Sequence, residues 1–233
     1  MKTILLFSFL LISRAGNSQV VIDVDKASDN FLHKSVYTTG FPVVDAKYVR
    51  MVSGTPYFSE IWMKGSILIN DSIAFNEMLL RLDLLEGSFI YLSEKKEEMT
   101  SVQPVKAVSL LDTTTGKKYL FVHSSYIAGT TPGEKGWYQL LTGEKLTLFK
   151  QYFKRMVESK AYGSSVTEQS IETEQRYFIA VNKSFIRLKS PGDIAKLVTN
   201  NKQALEDYIE KNKLKGKNEA DYIAAVKFYD SLK

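Results

Sequence analysis

The side chains best suited to catalysis are few in this chain, and their spacing matches no established catalytic set. Its 233 residues include two histidines, His33 and His123, and no cysteine. A serine hydrolase needs a histidine general base beside its nucleophile, and His123 is followed directly by Ser124 and Ser125. No G-x-S-x-G turn surrounds any serine. We therefore predict no catalytic residues, although a hydrolase using His123 or Asp83 stays open as a weaker alternative.

Metal and cofactor motifs are also missing from the sequence. The two histidines are far apart and form neither an H-E-x-x-H motif nor a facial triad. Asp23 and Asp25 alternate, but no calcium-loop pattern follows them. The sequence has no P-loop, no G-x-G-x-x-G after a strand and no thiol. We expect no metal, no nucleotide and no other cofactor.

Arg81 and Asp83 are weak candidates for binding. Two residues apart in a predicted strand, they share one face and lie about 7 Å apart along it. Asp83 and Glu86 are close enough in sequence to be considered as the carboxylate pair of a glycoside hydrolase. The favoured interpretation is an exposed or partly buried ion pair between Arg81 and Asp83 on a sheet.

Three aromatic residues are candidates for stacking on a ligand. Trp62, Trp137 and Tyr138 could each lie against a sugar or a lipid. Aromatic side chains in strands more commonly pack across neighbouring strands. Trp137 and Tyr138 therefore remain weak binding candidates.

The elements that must position these residues are centred on residues 57–92. This stretch alternates apolar and polar residues, with interruptions at Asn70-Asp71 and Glu86-Gly87. Such alternation, broken by turn residues, predicts three successive antiparallel strands. Similar strand and turn signals continue to Leu188, for example at Thr142-Gly143-Glu144.

The pattern changes to a helical period after residue 189. Ser190-Pro191-Gly192-Asp193 predicts one helix start, and Asn200 and Asn218 predict two more. The fold class predicted is α+β: a curled antiparallel β-meander of about eight to ten strands with two or three short C-terminal helices. We divide the chain into a lead-in at 19–56, the meander at 57–189, and a helical tail at 190–233 that packs on the sheet within one domain.

Residues 1–18 have the features of a secretory signal peptide. Lys2 precedes the apolar run TILLFSFLLI, and small residues at Gly16 and Ser18 precede a predicted cut before Gln19. The run is shorter than the roughly 20 residues that span a bilayer, so we expect no transmembrane segment after cleavage. Export to the periplasm or the cell surface is the predicted localisation.

The formal charge of +5 does not indicate nucleic-acid binding. The chain contains no recognisable nucleic-acid module. Several lysines instead cluster near the C-terminus, at 211, 213, 215 and 217. We interpret them as a solvated helix and loop surface.

Several motifs together resemble a widespread group of exported proteins of unknown function from Gram-negative bacteria. The matching stretches are GTPYF at 54–58, G-x-I-x-I-N-D from Gly65, LLRLD at 79–83, GWYQLLTGEKLTLFKQYFK at 136–154, and the lysine-rich close at 205–232. The resemblance covers most of the chain from about residue 53. It implies a β-meander followed by a helical tail, and export, but no activity and no functional residues.

The function predicted from these observations is that of an exported, non-enzymatic protein. Its sheet would bind a partner protein or a small ligand. The alternative is a periplasmic carrier that holds an apolar ligand inside the curled sheet.

Overall fold

The computed structural model of the protein describes residues 20–23, 41–42, 51–70, 73–101, 103–131, 135–160, 162 and 167–232. The predicted signal peptide, His33, Asp25 and most of the predicted lead-in lie outside these residues. The described part is mostly one mixed sheet with three helices, the last of them at the C-terminal end. The α+β fold class is therefore confirmed.

The sheet runs through almost the whole described chain. Its strands are β1 (Val20–Asp23), β2 (Phe41–Pro42), β3 (Met51–Ser53), β4 (Met63–Leu68), β5 (Ile73–Asp83), β6 (Ser88–Leu92), β7 (Glu98–Thr100), β8 (Ala107–Leu111), β9 (Lys118–His123), β10 (Trp137–Gly143), β11 (Thr147–Ser159), β12 (Glu168–Val181) and β13 (Ser184–Leu188). Their hydrogen-bonded order is β13-β12-β11-β10-β9-β8-β4-β5-β6-β7-β2. Two short strands lie off this path, because β1 pairs in parallel with β5, and β3 pairs in parallel with β12.

The parallel pairs and the shortest strands add to the antiparallel meander expected from the sequence. Both parallel pairs use segments of the lead-in, β1 and β3. Strands of two or three residues, such as β2 and β7, are too short to show a period-two pattern. For this reason, periodicity alone finds the long strands and underestimates the number of short ones.

A bulge keeps the long strand β5 facing the first core. Glu77 has a φ of 55°, and the register with β4 shifts between Gly65 and Ile67. An extra residue in one strand changes the alternation at that point. Phe75 and Met78, three apart, are consequently both buried on the same side.

The sheet curls over itself without closing. The indole Nε1 of Trp137, on β10, donates a 3.0 Å hydrogen bond to the carbonyl of Gly87, in the turn before β6. These two strands are five places apart in the sheet order, so the contact requires strong curvature. Inside the curl lies the first core, which consists of Met63, Ile67, Phe75, Met78, Leu80, Leu82, Phe89, Tyr91, Val105, Val108, Leu110, Phe121 and Trp137.

Three helices cover the other end of the sheet. They are α1 (Gly192–Leu197), α2 (Lys202–Lys211) and α3 (Glu219–Ser231). The second core lies between these helices and strands β10–β13, and its buried members are Leu146, Leu148, Tyr177, Ile179, Leu188, Ile194, Ala195, Val198, Leu205, Tyr222, Ala225 and Val226. Among the residues described, no helix combines the length and apolarity needed to cross a membrane.

The helix starts differ from prediction in two of three cases. Asn218 caps α3 as predicted, since its Oδ1 accepts a 3.0 Å hydrogen bond from the Asp221 N–H. The prediction of Ser190 as a cap was wrong, because Asp193 instead accepts from the N–H groups of Lys189 and Ser190. The prediction of Asn200 as the cap of the second helix was also wrong, because α2 begins after Asn201, which has a φ of 56°.

Candidate functional site

An open cleft with a volume of about 360 Å³ lies where the β5–β6 turn approaches β10. We refer to it as the cleft. The segment that connects β7 to β8 forms one of its sides. The lining residues are Gly87, Ser88, Phe89, Ser101, Gln103, Pro104, Val105, His123, Ser125, Tyr126 and Trp137. Among the described residues, this lining contains apolar rings and several polar groups, but no Asp, Glu, Lys or Arg.

Asp83 builds the turn that forms one wall of the cleft. Its Oδ1 accepts hydrogen bonds from the backbone N–H groups of Leu85 (3.0 Å) and Glu86 (2.8 Å). Gly87 completes the turn with a φ of 69°, a conformation that glycine adopts without strain. The Gly87 carbonyl then accepts from the Trp137 indole. The Asp83 carboxylate therefore positions the cleft wall, and its 8% exposure leaves it little access to a ligand.

Trp137 belongs to the cleft, whereas its neighbour Tyr138 does not. Trp137 is 4% exposed, and its ring meets the His123 ring edge-on at a centroid distance of 5.1 Å. Successive residues of a strand point to opposite faces, so Tyr138 lies on the other side of the sheet. There it packs edge-on against Phe178 (5.2 Å) and Phe185 (5.0 Å). Trp137 thus forms part of the cleft floor, and Tyr138 is a core residue.

Arg81 lies outside the cleft, between two aromatic rings. The carbon of its guanidinium is 4.7 Å from the centroid of the Tyr57 ring and 4.3 Å from that of the Trp62 ring. Its Nη1 lies 4.0 Å from Glu98 Oε1. Burial raises the pKa of Tyr57, and a hydrogen bond with Arg81 opposes this rise. These contacts hold Arg81 between β7 and the segment that precedes β4, whose two rings make cation–π interactions with it.

The two carboxylates considered for glycoside hydrolysis are placed in a turn. Asp83 is engaged with backbone N–H groups, one of which belongs to Glu86 itself. Glu86 is exposed. The Asp83 carboxylate therefore stabilises the turn by accepting hydrogen bonds from its backbone. The two carboxylates are not held on opposite sides of a substrate.

His123 lines the cleft, and the hydrogen bond at its Nδ1 determines which ring nitrogen carries the proton. Its Nδ1 accepts a 3.3 Å hydrogen bond from the Ser125 N–H. An acceptor Nδ1 assigns the proton of the neutral ring to Nε2. Burial also lowers the pKa of His123, which favours this neutral form. The ring therefore presents an N–H group at Nε2.

This arrangement is the reverse of that in a serine hydrolase. In a catalytic triad, the histidine donates through Nδ1 to a carboxylate and keeps the Nε2 lone pair for the serine proton. Here Nδ1 is the acceptor, and its partner is a backbone N–H. Ser124 is 4% exposed, and its Oγ accepts from the Gly136 N–H at 3.2 Å. The adjacency of His123 and the two serines therefore produces a structural turn.

No cluster of three or more His, Asp or Glu side chains suited to a metal ion occurs in the described ranges. The side chains that meet in the cleft come from separate places in the sequence. Ser88, Ser101, Gln103 and Tyr126 were not singled out by sequence, because no motif or spacing connects them.

A buried ion pair lies at the opposite end of the sheet. Lys150, on β11, is 5% exposed, and its Nζ lies 2.9 Å from Oε2 of Glu219, the first residue of α3. The same Nζ lies 4.5 Å from the centroid of the Tyr152 ring. Burial, reinforced by the Glu219 charge, raises the pKa of Tyr152, whose hydroxyl donates to Gln139 Oε1 at 3.1 Å. One sequence feature bears on Lys150. Leu148, Lys150 and Tyr152 are spaced two apart, so they share one face of the strand.

Comparisons with known proteins find no relative. No protein-family model, no curated protein and no solved structure matches this chain.

Proposed function

We propose that this chain is an exported, non-enzymatic protein that binds a small ligand in the cleft. The observation that carries the proposal is the cleft itself, in which apolar walls surround uncharged polar groups. Ligand sites of small molecules are mostly apolar concavities with a few placed polar groups. The cleft volume of about 360 Å³ fits the lower part of their size range.

The packing of the two cores supports a ligand in the cleft over a ligand carried inside the sheet. Leu80, Tyr91 and Phe121 are fully buried inside the curl. Beneath the helices, Leu205 and Val226 are fully buried as well. Protein side chains thus occupy the positions that a carried apolar ligand would need.

The orientation of His123 supports a binding role over hydrolysis. Its Nδ1 is engaged with a backbone N–H, and the neutral ring offers a donor. A donor can orient a ligand oxygen, whereas a general base needs a free lone pair directed at the nucleophile. Export rests on the predicted signal peptide at 1–18 and on the resemblance to the exported Gram-negative group.

Binding can be tested on the mature protein beginning at Gln19 with a fragment library followed by ¹H–¹⁵N NMR. Fragments should shift the Trp137 indole signal, which a Trp137→Phe variant identifies. Ser125→Trp should abolish these shifts, because its exposed side chain lies at the cleft and a large ring there blocks entry. Thr113→Trp, in an exposed turn far from the cleft lining, is the matched control and should bind normally.

Two results would contradict the proposal. In the first, no fragment shifts the Trp137 signal at millimolar concentration, which corresponds to about 4 kcal/mol of binding free energy. In the second, Ser125→Trp binds the same fragments as well as the unaltered protein does.

A further inference from the structure

The polar groups that the described residues contribute to the cleft are all uncharged. They comprise the hydroxyls of Ser88, Ser101, Ser125 and Tyr126, the amide of Gln103 and the imidazole of His123. The charged residues Glu86 and Lys106 adjoin the lining in sequence but do not belong to it. A charged ligand group entering the cleft would lose water without gaining a counter-charge, and this costs far more than desolvating a neutral polar group.

His123 contributes a hydrogen-bond donor to the lining of the cleft. Protonation at Nδ1 would place two N–H groups against each other, because that nitrogen already accepts from Ser125. The imidazole is therefore held neutral, with its proton on Nε2. Within the part of the chain that the structure describes, the His123 side chain makes no hydrogen bond other than the one at Nδ1. The Nε2–H group is thus available to a ligand oxygen.

The apolar part of the lining suits a flat ring. Phe89, Val105 and Trp137 belong to the first core and are 4–5% exposed, so they form a packed floor. Pro104 adds an exposed apolar surface at the side. A ring against this floor would bring one substituent close to His123.

Building on the proposed function, we propose that the cleft selects small uncharged ring compounds that present an acceptor oxygen, such as an amide carbonyl, to His123 Nε2–H. Carboxylates and ammonium compounds of the same shape are rejected. The contribution of the acceptor is one neutral hydrogen bond.

The test compares three probes of nearly equal shape on the mature protein at pH 7.5. The probes are benzamide, benzoate and benzylammonium, and binding is followed through the Trp137 indole and His123 ring signals. Benzamide should bind at least tenfold more tightly than either charged probe. Benzoate or benzylammonium binding as tightly as benzamide would overturn the proposed selectivity.

A pair of variants tests the role of His123 itself. His123→Phe keeps an aromatic ring beside Trp137 but removes the donor, so benzamide binding should weaken about tenfold, while toluene, which has no acceptor, should bind unchanged. Thr113→Phe, which places the same ring in an exposed turn outside the cleft lining, should leave both probes unaffected. Unchanged benzamide binding in a folded His123→Phe protein overturns the inference.

The outcomes separate this inference from the proposed function. If no probe, including toluene, shifts the Trp137 signal, then neither the cleft function nor the selectivity holds. If charged and neutral probes shift it equally, ligand binding in the cleft stands and only the selectivity fails. The probe comparison needs no substitution, so it remains decisive even if His123→Phe does not fold.

Discussion

The two ends of the sheet treat their polar side chains differently. Beneath the helices, the buried Lys150 ammonium meets Glu219 at 2.9 Å, and the partner comes from another element, α3. At the curled end, the cleft leaves His123 and several hydroxyls beside an open space, and none of the lining residues that the structure describes is charged. Alternating strands supply the core at both ends, so the strand pattern does not explain the difference.

The difference arises from what covers each core. The helices close the second core, and a charge buried there must be paired, because an isolated buried charge is very costly. The cleft is open, so its neutral groups can remain hydrated until a ligand replaces the water. We infer that the helical end contributes mainly to stability, while the curled end is available for binding.

Removal of the helices should cause the largest loss of stability. A chain truncated after Leu188 loses α1, α2 and α3, which contribute Leu205, Tyr222 and Val226 to the second core. Full burial of one such side chain is worth about 1.5–3 kcal/mol. We expect a much lower melting temperature by circular dichroism, or aggregation by size-exclusion chromatography. A truncated protein that stays monomeric with an unchanged melting temperature would show that the helices do not stabilise the sheet.

Breaking the buried ion pair should have the next largest effect. Glu219→Gln leaves the Lys150 charge buried without its partner, a loss of about 3–5 kcal/mol when both groups are fully buried. Because Glu219 is 29% exposed, we expect about 2 kcal/mol in urea unfolding. The double variant Lys150→Met, Glu219→Gln should recover most of this loss, because no charge remains.

The exposed pair Arg155–Glu172 provides a matched control for this measurement. Its side chains are 64% and 53% exposed. Glu172→Gln should change the unfolding free energy by less than about 0.5 kcal/mol. Equal losses in Glu219→Gln and Glu172→Gln would contradict the special role given to the buried pair.

Altering the turn at the cleft should have a smaller effect on stability but a local effect on the site. Asp83→Ala removes the acceptor for two backbone N–H groups, which should cost about 1–2 kcal/mol in urea unfolding and shift the Trp137 indole signal. Asp83→Asn keeps an oxygen at Oδ1 and should retain most of both properties. If Asp83→Asn loses as much stability as Asp83→Ala, the charge of Asp83 matters more than its role as turn acceptor.

The contribution of His123 to the pH dependence of folding stability should be the smallest of these effects. Burial lowers the pKa of His123 in the folded protein, so the unfolded chain takes up a proton first as the pH falls below about 6.5. Folding stability should therefore decrease as the pH falls from 7.5 to 5.5, and the decrease should be shallower in His123→Phe. Parallel curves of unfolding free energy for the two proteins would show that His123 does not contribute to this dependence.

Parts of the fold could be predicted because they depend on neighbouring residues. The alternation of Met78, Leu80 and Leu82 indicates a strand face whatever the strand pairs with. Asn218 caps α3 through an Asp221 N–H only three residues away. The two wrong helix starts, at Ser190 and Asn200, fall where several capping residues lie side by side, and local preference does not decide among them.

The candidate site depended on contacts between residues that are distant in sequence. Sequence alone determined the fold class and the absence of thiol chemistry, because composition and period two require nothing from the rest of the chain. Tertiary structure decided the cleft, since Trp137 reaches Gly87 across 50 residues only when the sheet curls. It also decided the pairing of Lys150 with Glu219 across 69 residues. Curvature arises from accumulated strand twist and from bulges such as the one at Glu77, and the alternation of a single strand contains no measure of either.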